Sequence, residues 1–327
     1  MRFVARSVLL ASLALSGAVS VSLEALAADR FPTRPIRLIV PYQPGGSTSL
    51  SARSVQQALG TTTGTRIVVD NRPGAGTALG TELVARATPD GYTLLLASTP
   101  FSILPTLRRD LPYDSVKDFA PISQIASQPY IIAAAADSRF SNLQALIAAA
   151  KANPGALSYS SPGPGSGAHL AIEALLLNSG ARMLHVPYKG GAPALMATLT
   201  GDVDVVLTTV VSGSPLQRSG KLRILAITSP KRLAMVPTVP TVTEAGLPPF
   251  EAASWNGIVA PARTPPAVIA QLNREIVSVL RMPAVRQALE KEGAEVVGSS
   301  PTEFAAFINR EIARWANVIR SAQIKVH

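Results

Sequence analysis

Two glycine-rich corners of this sequence carry residues whose types and spacing suit the binding of an anion. The first, IVPYQPGGSTSLSAR, runs from an apolar segment through Gly45 and Gly46 into three hydroxyl residues, Ser47, Thr48 and Ser49. Glycines let a backbone approach a ligand closely, and a helix that starts there exposes unpaired N–H groups and a partial positive charge. The competing interpretation is that these hydroxyls only cap a helix.

The second corner, SYSSPGPGSGAHLAIEALL, repeats the arrangement about 120 residues later in the chain. Gly163, Gly165 and Gly167 form a flexible loop whose backbone can approach a ligand closely. Ser166 offers a hydroxyl, and His169 lies on the helix that follows. For His169 alone, packing of the helix is favoured over a catalytic role. Two such helix starts on separate α/β units are able to hold the two ends of one anionic ligand.

Signatures of catalysis and of cofactor binding are missing from the sequence. There is no G-x-S-x-G elbow and no P-loop, there are no cysteines, and the three histidines do not form H-E-x-x-H. The sequence therefore predicts no metal, no cofactor and no enzyme activity. An exported hydrolase that uses Ser166 and His169 is the weak alternative, since no acid partner is evident. Gly74, Gly76 and Gly80 come close to a dinucleotide fingerprint, but Pro73 stiffens that turn.

Three further residues have two interpretations each. Lys189 is either an anion contact or a surface charge, and Trp255 either stacks on a ligand or fills a core. Arg72 either lines a cleft or makes an ion pair between domains. Thr208 lies near the carboxyl end of a predicted strand, where ligands bind in open α/β sheets.

The elements that position these residues are short apolar strands alternating with amphipathic helices. Strands are predicted at 36–40, 66–70, 92–97, 129–135, 156–160, 203–209, 222–228 and 256–261. Helices are predicted at about 49–59, 79–87, 143–152, 167–179 and 192–199, and three more follow in series after Pro265, the last with a capping box at Ser300 and Glu303. This alternation is typical of an α/β protein with parallel sheets covered by helices.

The amino terminus predicts export. Residues 1–27 combine Arg2 and Arg6 with an apolar core and a small-residue site at Ala25 to Ala27, which is typical of a secretory signal peptide. After it no apolar run is long enough to span a membrane. The net charge is +10, but Lys and Arg are scattered rather than clustered, which argues against a nucleic-acid partner.

A series of motifs resembles one known family in order. PTRPIRLIVPYQPGGSTSLSAR, VVDNRPGAGTALGTELVARATPDGYTLLLA, GSGAHLAIEALL, HVPYKGGAPAL, VPTVPTVTEAGLP and WNGIVAPARTPPAVIAQLN are similar to segments of the Bug-type receptors of tripartite tricarboxylate transporters. The resemblance covers essentially the whole chain after residue 27. It implies a monomeric periplasmic receptor of the Venus flytrap type, which closes two α/β domains on a carboxylate and delivers it to a membrane permease.

The resemblance also implies domains and site residues. Domain I is expected at 28–125 plus 230–327 and domain II at 126–229, with crossovers near Ser123 to Tyr130 and Leu225 to Ser229. Backbone N–H groups of two loops, Tyr42 to Ser49 and Ser161 to His169, are expected to grasp carboxylate oxygens. The ligand-binding residues implied are Tyr42, Gly45, Gly46, Ser47, Thr48, Ser49, Ser98, Thr99, Ser161, Gly165, Ser166, Gly167, His169 and Thr208.

One departure from the family pattern bears on the ligand. Relatives commonly read G-G-x-T-D at the first corner, whereas this chain has Ser49 at the acidic position. The missing carboxylate argues against an amino-acid ligand and for a di-, tri- or aromatic carboxylate. A ligand-sensing subunit of a membrane signalling system would use the same site and is the alternative function.

Overall fold

A computed structural model describes residues 31–44 and 47–324, and for residues 47–50 it describes the backbone alone. The predicted signal peptide, Gly45 and Gly46 lie outside the described residues. The chain divides into two compact units, Met1–Pro35 and Ile36–His327. Of the first unit only Phe31 to Pro35 are described, and they contain no helix or strand. The fold below is that of the second unit.

One sheet runs through the second unit. Its strands are β1 (Ile36–Val40), β2 (Ile67–Asn71), β3 (Thr93–Ser98), β4 (Phe119–Ala135), β5 (Ser158–Ser161), β6 (Leu184–Pro187), β7 (Val205–Thr209), β8 (Leu222–Ile227), β9 (Ala253–Pro261) and β10 (Glu295–Val296). Their order in the sheet is β2-β1-β3-β9-β4-β7-β5-β6, and β8 and β10 also pair with β4. Pairing is parallel among β1, β2 and β3 and among β5, β6 and β7, whereas β4 and β9 run antiparallel to their neighbours.

Strand β4 changes partners along its length. From Phe119 to Pro129 it pairs with β9, and from Tyr130 onward it pairs with β7 and β8. One long strand therefore serves two groups of strands, which we call the first group (β1, β2, β3, β9) and the second group (β5, β6, β7, β8). Because β4 continues without a break between them, the partition of the chain into two domains stays a prediction.

Helices cover the sheet. They are α1 (Ser47–Thr62), α2 (Ala78–Ala85), α3 (Pro100–Leu107), α4 (Leu143–Ala152), α5 (Gly167–Ser179), α6 (Gly191–Leu199), α7 (Val210–Arg218), α8 (Pro266–Leu280), α9 (Pro283–Lys291) and α10 (Pro301–Ser321). The predicted α/β class is confirmed. The sequence pattern missed β6, β10, α3, α7 and the first ten residues of β4, because these segments are short or mix Pro, Ser and Gln with their apolar residues.

The sequence of the last helix, α10, explains where the helix begins and which of its faces is buried. Ser300 and Glu303 form the predicted capping box, which satisfies backbone donors at the helix start. Phe304, Ile308 and Trp315 recur at helical spacing and are buried. Helix α5 is buried on nearly all sides because it lies in the largest apolar cluster, which also contains Trp315 of α10. This packing holds the start of α5 firmly against the sheet.

Candidate functional site

The register of the sheet brings the ends of the parallel strands together. Ser98, the last residue of β3, pairs with Asn256 of β9, and Asn256 also pairs with Ala126 of β4. In the second group the end of β7 pairs with the same strand, Thr209 opposite Tyr130. The parallel strands of both groups therefore end beside residues 126–130 of β4, which is where ligands bind in sheets of this kind.

Side chains at the first corner are held by hydrogen bonds. The hydroxyls of Tyr42 and Ser98 share a hydrogen bond of 2.7 Å. The side-chain amide of Asn71, at the end of β2, donates to the carbonyl of Tyr42 at 2.9 Å. Burial raises the pKa of Tyr42 above its ordinary value, so the phenol stays neutral at physiological pH and can donate a hydrogen bond.

The two groups of strands meet at Thr99 and Gly167. The hydroxyl of Thr99, just after β3, accepts a hydrogen bond of 3.2 Å from the backbone N–H of Trp255. A Cβ placed on Gly167, at the start of α5, would lie 2.7 Å from the hydroxyl oxygen of Tyr130 and 3.3 Å from Cγ2 of Thr99. A larger residue at this position would displace the phenol of Tyr130, because the first group and the start of α5 approach each other closely there.

The second corner is a loop with most of its N–H groups already used. Gly163 donates to the hydroxyl of Ser161 at 3.1 Å, and Gly165 donates to Nδ1 of His169 at 3.0 Å. The N–H of Ser166 reaches the carbonyl of Gly163, and the hydroxyl of Ser166 accepts from the N–H of His169 as a helix cap. Gly163 and Gly165 both have positive φ, 133° and 73°, which disfavours other residues.

A stack of rings lies behind this loop. The rings of His169 and His185 are stacked at 3.9 Å, and Nε2 of His185 shares a hydrogen bond of 2.6 Å with Ser161. Burial, with His185 as a second cause, lowers the pKa of His169 to about 3. His169 is thus neutral, and its Nδ1 is free of a proton and able to accept from Gly165.

The acidic group near the stack is also buried. The hydroxyl of Tyr159, which stacks on His185, donates to Glu173 of α5. Burial raises the pKa of Glu173. The ionisable side chains behind the second corner, His169 and Glu173, therefore favour their neutral forms. They do not supply positive charge for binding an anion.

Two backbone donors of the second corner remain available. Within the described residues, the N–H groups of Gly167 and Ala168 make no hydrogen bond, as expected in the first turn of a helix. They point along the axis of α5, whose partial positive charge favours an anion. These are the donors that the loop offers, rather than those of Gly163 and Gly165.

The structure brings most of the predicted residues together, but not all. Tyr42, Ser98, Thr99 and Gly167 lie at the meeting point, and Ser161, Gly165, Ser166 and His169 form the loop behind it. Gly45 and Gly46 lie outside the described residues, and only the backbone of Ser47, Thr48 and Ser49 is described, in the first turn of α1. Thr208 pairs with Ile131 and shares its face of the sheet, whereas Tyr130, next along β4, faces the α5 side.

The residues with two interpretations are now placed. Trp255 is buried and meets the rings of Phe304 and Phe307 edge to face, so it fills a core. The expectation of an interdomain ion pair for Arg72 is wrong, because its partner at 3.0 Å is Asp70, two residues earlier at the end of β2. Lys189 is exposed. A Cβ on Gly80 would lie 2.8 Å from the carbonyl oxygen of Arg72 and 2.9 Å from Cβ of Pro41, so close packing explains this member of the dinucleotide-like pattern.

Sequence reasoning missed Tyr130 and Ser254. Tyr130 is buried at the start of the second half of β4, and its phenol lies beside Gly167. The hydroxyl of Ser254 lies 3.4 Å from that of Thr99. Neither residue belongs to a glycine-rich motif. Their contacts with Gly167 and Thr99, which depend on the tertiary structure, bring them to the meeting point.

Most of the chain is similar to proteins of one known family. A family model described as "Tripartite tricarboxylate transporter family receptor" matches residues 51–324. Protein BugT of Bordetella pertussis is 38% identical over 303 residues, which cover 92% of this chain and 93% of BugT. A Pseudomonas sp. protein named for the tcbD–tcbE intergenic region is 38% identical over 317 residues, covering 97% of this chain and 94% of that protein.

Solved structures give the same picture. The periplasmic binding protein BugD matches with a TM-score of 0.74 and 33% identity, covering 90% of this chain and 99% of BugD. A protein of R. palustris solved with adipate matches with a TM-score of 0.77 at 33% identity, over 90% of this chain and 99% of that one. MatC from Rhodopseudomonas palustris with bound malate matches with a TM-score of 0.73 at 31% identity, over 88% of this chain and 100% of MatC.

Proposed function

This chain belongs to the tripartite tricarboxylate transporter receptor family, and from that premise we propose that it captures a di-, tri- or aromatic carboxylate at the meeting point of its two groups of strands. The observation that carries the proposal is the close approach of Thr99 to Gly167: a Cβ on Gly167 would lie 3.3 Å from Cγ2 of Thr99. It supports a site between the donors of the two groups. Relatives solved with malate and with adipate support a carboxylate as the ligand class.

In the proposed complex the second group binds one carboxylate through the N–H groups of Gly167 and Ala168. The positive end of α5 stabilises that charge, and Tyr42, Ser98 and Thr99 supply hydroxyls from the first group. Such neutral donors discriminate among ligands mainly by shape and length. The first turn of α1 would meet the second end of the ligand.

The proposal includes a two-domain motion. Domain I would comprise 28–125 plus 230–327 and domain II 126–229, and β4 would bend where it changes partners between Pro129 and Tyr130. The return crossing would follow β8, where the N–H of Thr228 reaches the carbonyl of Tyr130. Ligand that contacts both domains would favour the closed state, which the transporter recognises.

We also propose that residues 1–27 direct export to the periplasm, that the receptor acts as a monomer and that it delivers its ligand to permease subunits unchanged. In the described part of the chain, the hydroxyl of Ser166 contacts the backbone of His169 and not its ring. That geometry does not activate a serine nucleophile. The described residues also contain no helix that is long and apolar enough to cross a membrane.

Ligand-dependent unfolding tests the proposal. The midpoint of thermal unfolding of residues 28–327 is measured against di-, tri- and aromatic carboxylates and against matched monoamines. A carboxylate that binds only the folded state should raise the midpoint, and the amines should not. Chromatography of the hit after incubation should return it unchanged. No shift with any carboxylate would contradict binding, and a converted ligand would contradict transport without catalysis.

A further inference from the structure

Asn256 carries a buried side-chain amide whose oxygen has no partner. The residue is 2% exposed, and its Oδ1 is buried and accepts no hydrogen bond. A buried amide of this kind is unfavourable unless something satisfies it.

The position of Asn256 follows from the register. It pairs with Ser98, and directly paired residues of adjacent strands point to the same face of a sheet. Ser98 in turn shares its hydrogen bond with Tyr42 at the first corner. Two residues earlier on the same face of β9 is Ser254, whose hydroxyl is close to that of Thr99.

The opposite face of β9 is filled. Trp255 packs on Phe304, and a Cβ on Gly257 would lie 2.2 Å from the ring of Phe304. Asn256 alternates with these residues and therefore faces away from α10, toward Ser98 and Tyr42. The amide thus borders the space between the first corner and the start of α5.

The chemistry of the amide indicates what would satisfy it. It presents a donor and an acceptor side by side, and a hydroxyl both accepts and donates. A carboxylate can only accept, so it would leave Oδ1 unpaired. An unsubstituted methylene would also leave Oδ1 unpaired. Sites with buried polar groups for a substrate hydroxyl reject analogues that lack it, because those groups then remain unpaired.

We propose that Asn256 is a specificity-determining residue, and that its amide binds a hydroxyl group on the carbon skeleton of the carboxylate ligand. This inference rests on the proposed function. It narrows the ligand class to hydroxycarboxylates and assigns their recognition to β9, outside both glycine-rich corners.

Matched pairs of ligands test the assignment by calorimetric titration. The pairs are succinate with malate, glutarate with 2-hydroxyglutarate, and benzoate with 3-hydroxybenzoate. For the pair of the right length, wild type should bind the hydroxylated member about tenfold more tightly or better. Asn256→Leu should bring the two members to within about twofold of each other.

Thermal unfolding separates a recognition role from a structural one. Leucine has nearly the shape of asparagine and no polar atom to leave unpaired, so the unfolding midpoint of the ligand-free Asn256→Leu variant should be unchanged or higher. Asn317→Leu, at an exposed position of α10, is the matched control and should keep the wild-type preference. A lower midpoint for Asn256→Leu would assign Asn256 to the fold and overturn the inference.

The outcomes distinguish the two proposals. If wild type binds both members of a pair equally, or if Asn256→Leu keeps the preference, the hydroxyl assignment is overturned and carboxylate capture stands. If no carboxylate binds wild type, carboxylate capture is overturned and the assignment falls with it.

Discussion

The two corners look alike in sequence and differ in structure. At the second corner the N–H groups of Gly163 and Gly165 are already bonded to Ser161 and His169. At the first corner the hydroxyls of Tyr42 and Ser98 bond to each other, and Oδ1 of the neighbouring Asn256 has no partner. The second corner is a loop whose conformation is held by its own hydrogen bonds. Near the first corner, a side-chain oxygen can still accept a hydrogen bond.

Glycine-rich loops therefore do not by themselves provide backbone N–H groups that are free to bind a ligand. Glycine lets the second loop follow positive φ, but the resulting N–H groups are used to hold the loop. The donors left for a ligand are those of the next two residues, Gly167 and Ala168. We therefore expect the second corner to supply charge stabilisation, and the side chains of Tyr42, Ser98 and Asn256 to supply selectivity.

The largest effect is expected for Gly167→Ala. The new Cβ would lie 2.7 Å from the hydroxyl oxygen of Tyr130 and 3.3 Å from Cγ2 of Thr99, so the start of α5 or these side chains would have to shift. Overpacking of this kind costs about 1–3 kcal/mol, which corresponds to a loss of roughly 10- to 100-fold in Kd. Gly191→Ala is the matched control, because Gly191 also begins a helix and has open space around it. Equal affinity of the two variants in calorimetry would contradict the meeting point.

The next effect concerns the support of the second loop. His169→Leu removes the acceptor of the half-buried Gly165 N–H, and leaving a desolvated donor unpaired costs about 1–3 kcal/mol. We expect a loss in ligand affinity of about tenfold. His169→Asn places an acceptor near the position of Nδ1 and should recover most of the affinity. If both variants bind like wild type, the loop does not depend on His169.

A pH dependence of stability should distinguish the corners as well. The folded state lowers the pKa of His169 from 6.5 to about 3, and burial lowers that of His185. The unfolded chain therefore binds more protons below about pH 6.5, so this contribution to stability is present above pH 6.5 and is lost as pH falls. Glu173, with its raised pKa, acts in the opposite direction, while Tyr159 stays neutral throughout.

Thermal unfolding of the ligand-free protein at about pH 7.5 and about pH 5 measures this contribution. The midpoint should be lower at the acidic pH, and the difference should shrink in His169→Asn. A Tyr42→Phe variant should show the full wild-type difference, since the phenol does not titrate in this range. The same difference in His169→Asn as in wild type would assign the dependence to other groups.

The smallest effect is expected at the hydrogen bond between Tyr42 and Ser98. Tyr42→Phe and Ser98→Ala should each weaken ligand binding by about 1 kcal/mol, or roughly fivefold, because each removes one hydroxyl. The double variant should lose less than the sum of the two, since the hydroxyls act as a pair. Strict additivity in calorimetric titrations would show that the two hydroxyls act independently.

Much of the fold was predictable from the sequence. Apolar runs marked the strands of both groups except β6, and Ser300 with Glu303 marked the start of α10. These features are local: hydrophobic periodicity and capping depend on residues a few positions apart. The ordered motifs likewise identified the family. They also led to the prediction that Tyr42, Ser98, Thr99 and Gly167 bind the ligand, and the structure brings these four residues together.

Contacts between residues that are distant in the sequence became known only from the tertiary structure. The second half of β4, the contact of Thr99 with Gly167, and the stack of His169 on His185 join positions that no local pattern relates. The same is true of Asn256, an ordinary strand residue until its register beside Ser98 is known. The sequence determined which segments form strands and helix starts, because those depend on neighbours; only packing determined which donors remain free, because hydrogen bonds with distant residues use up the others.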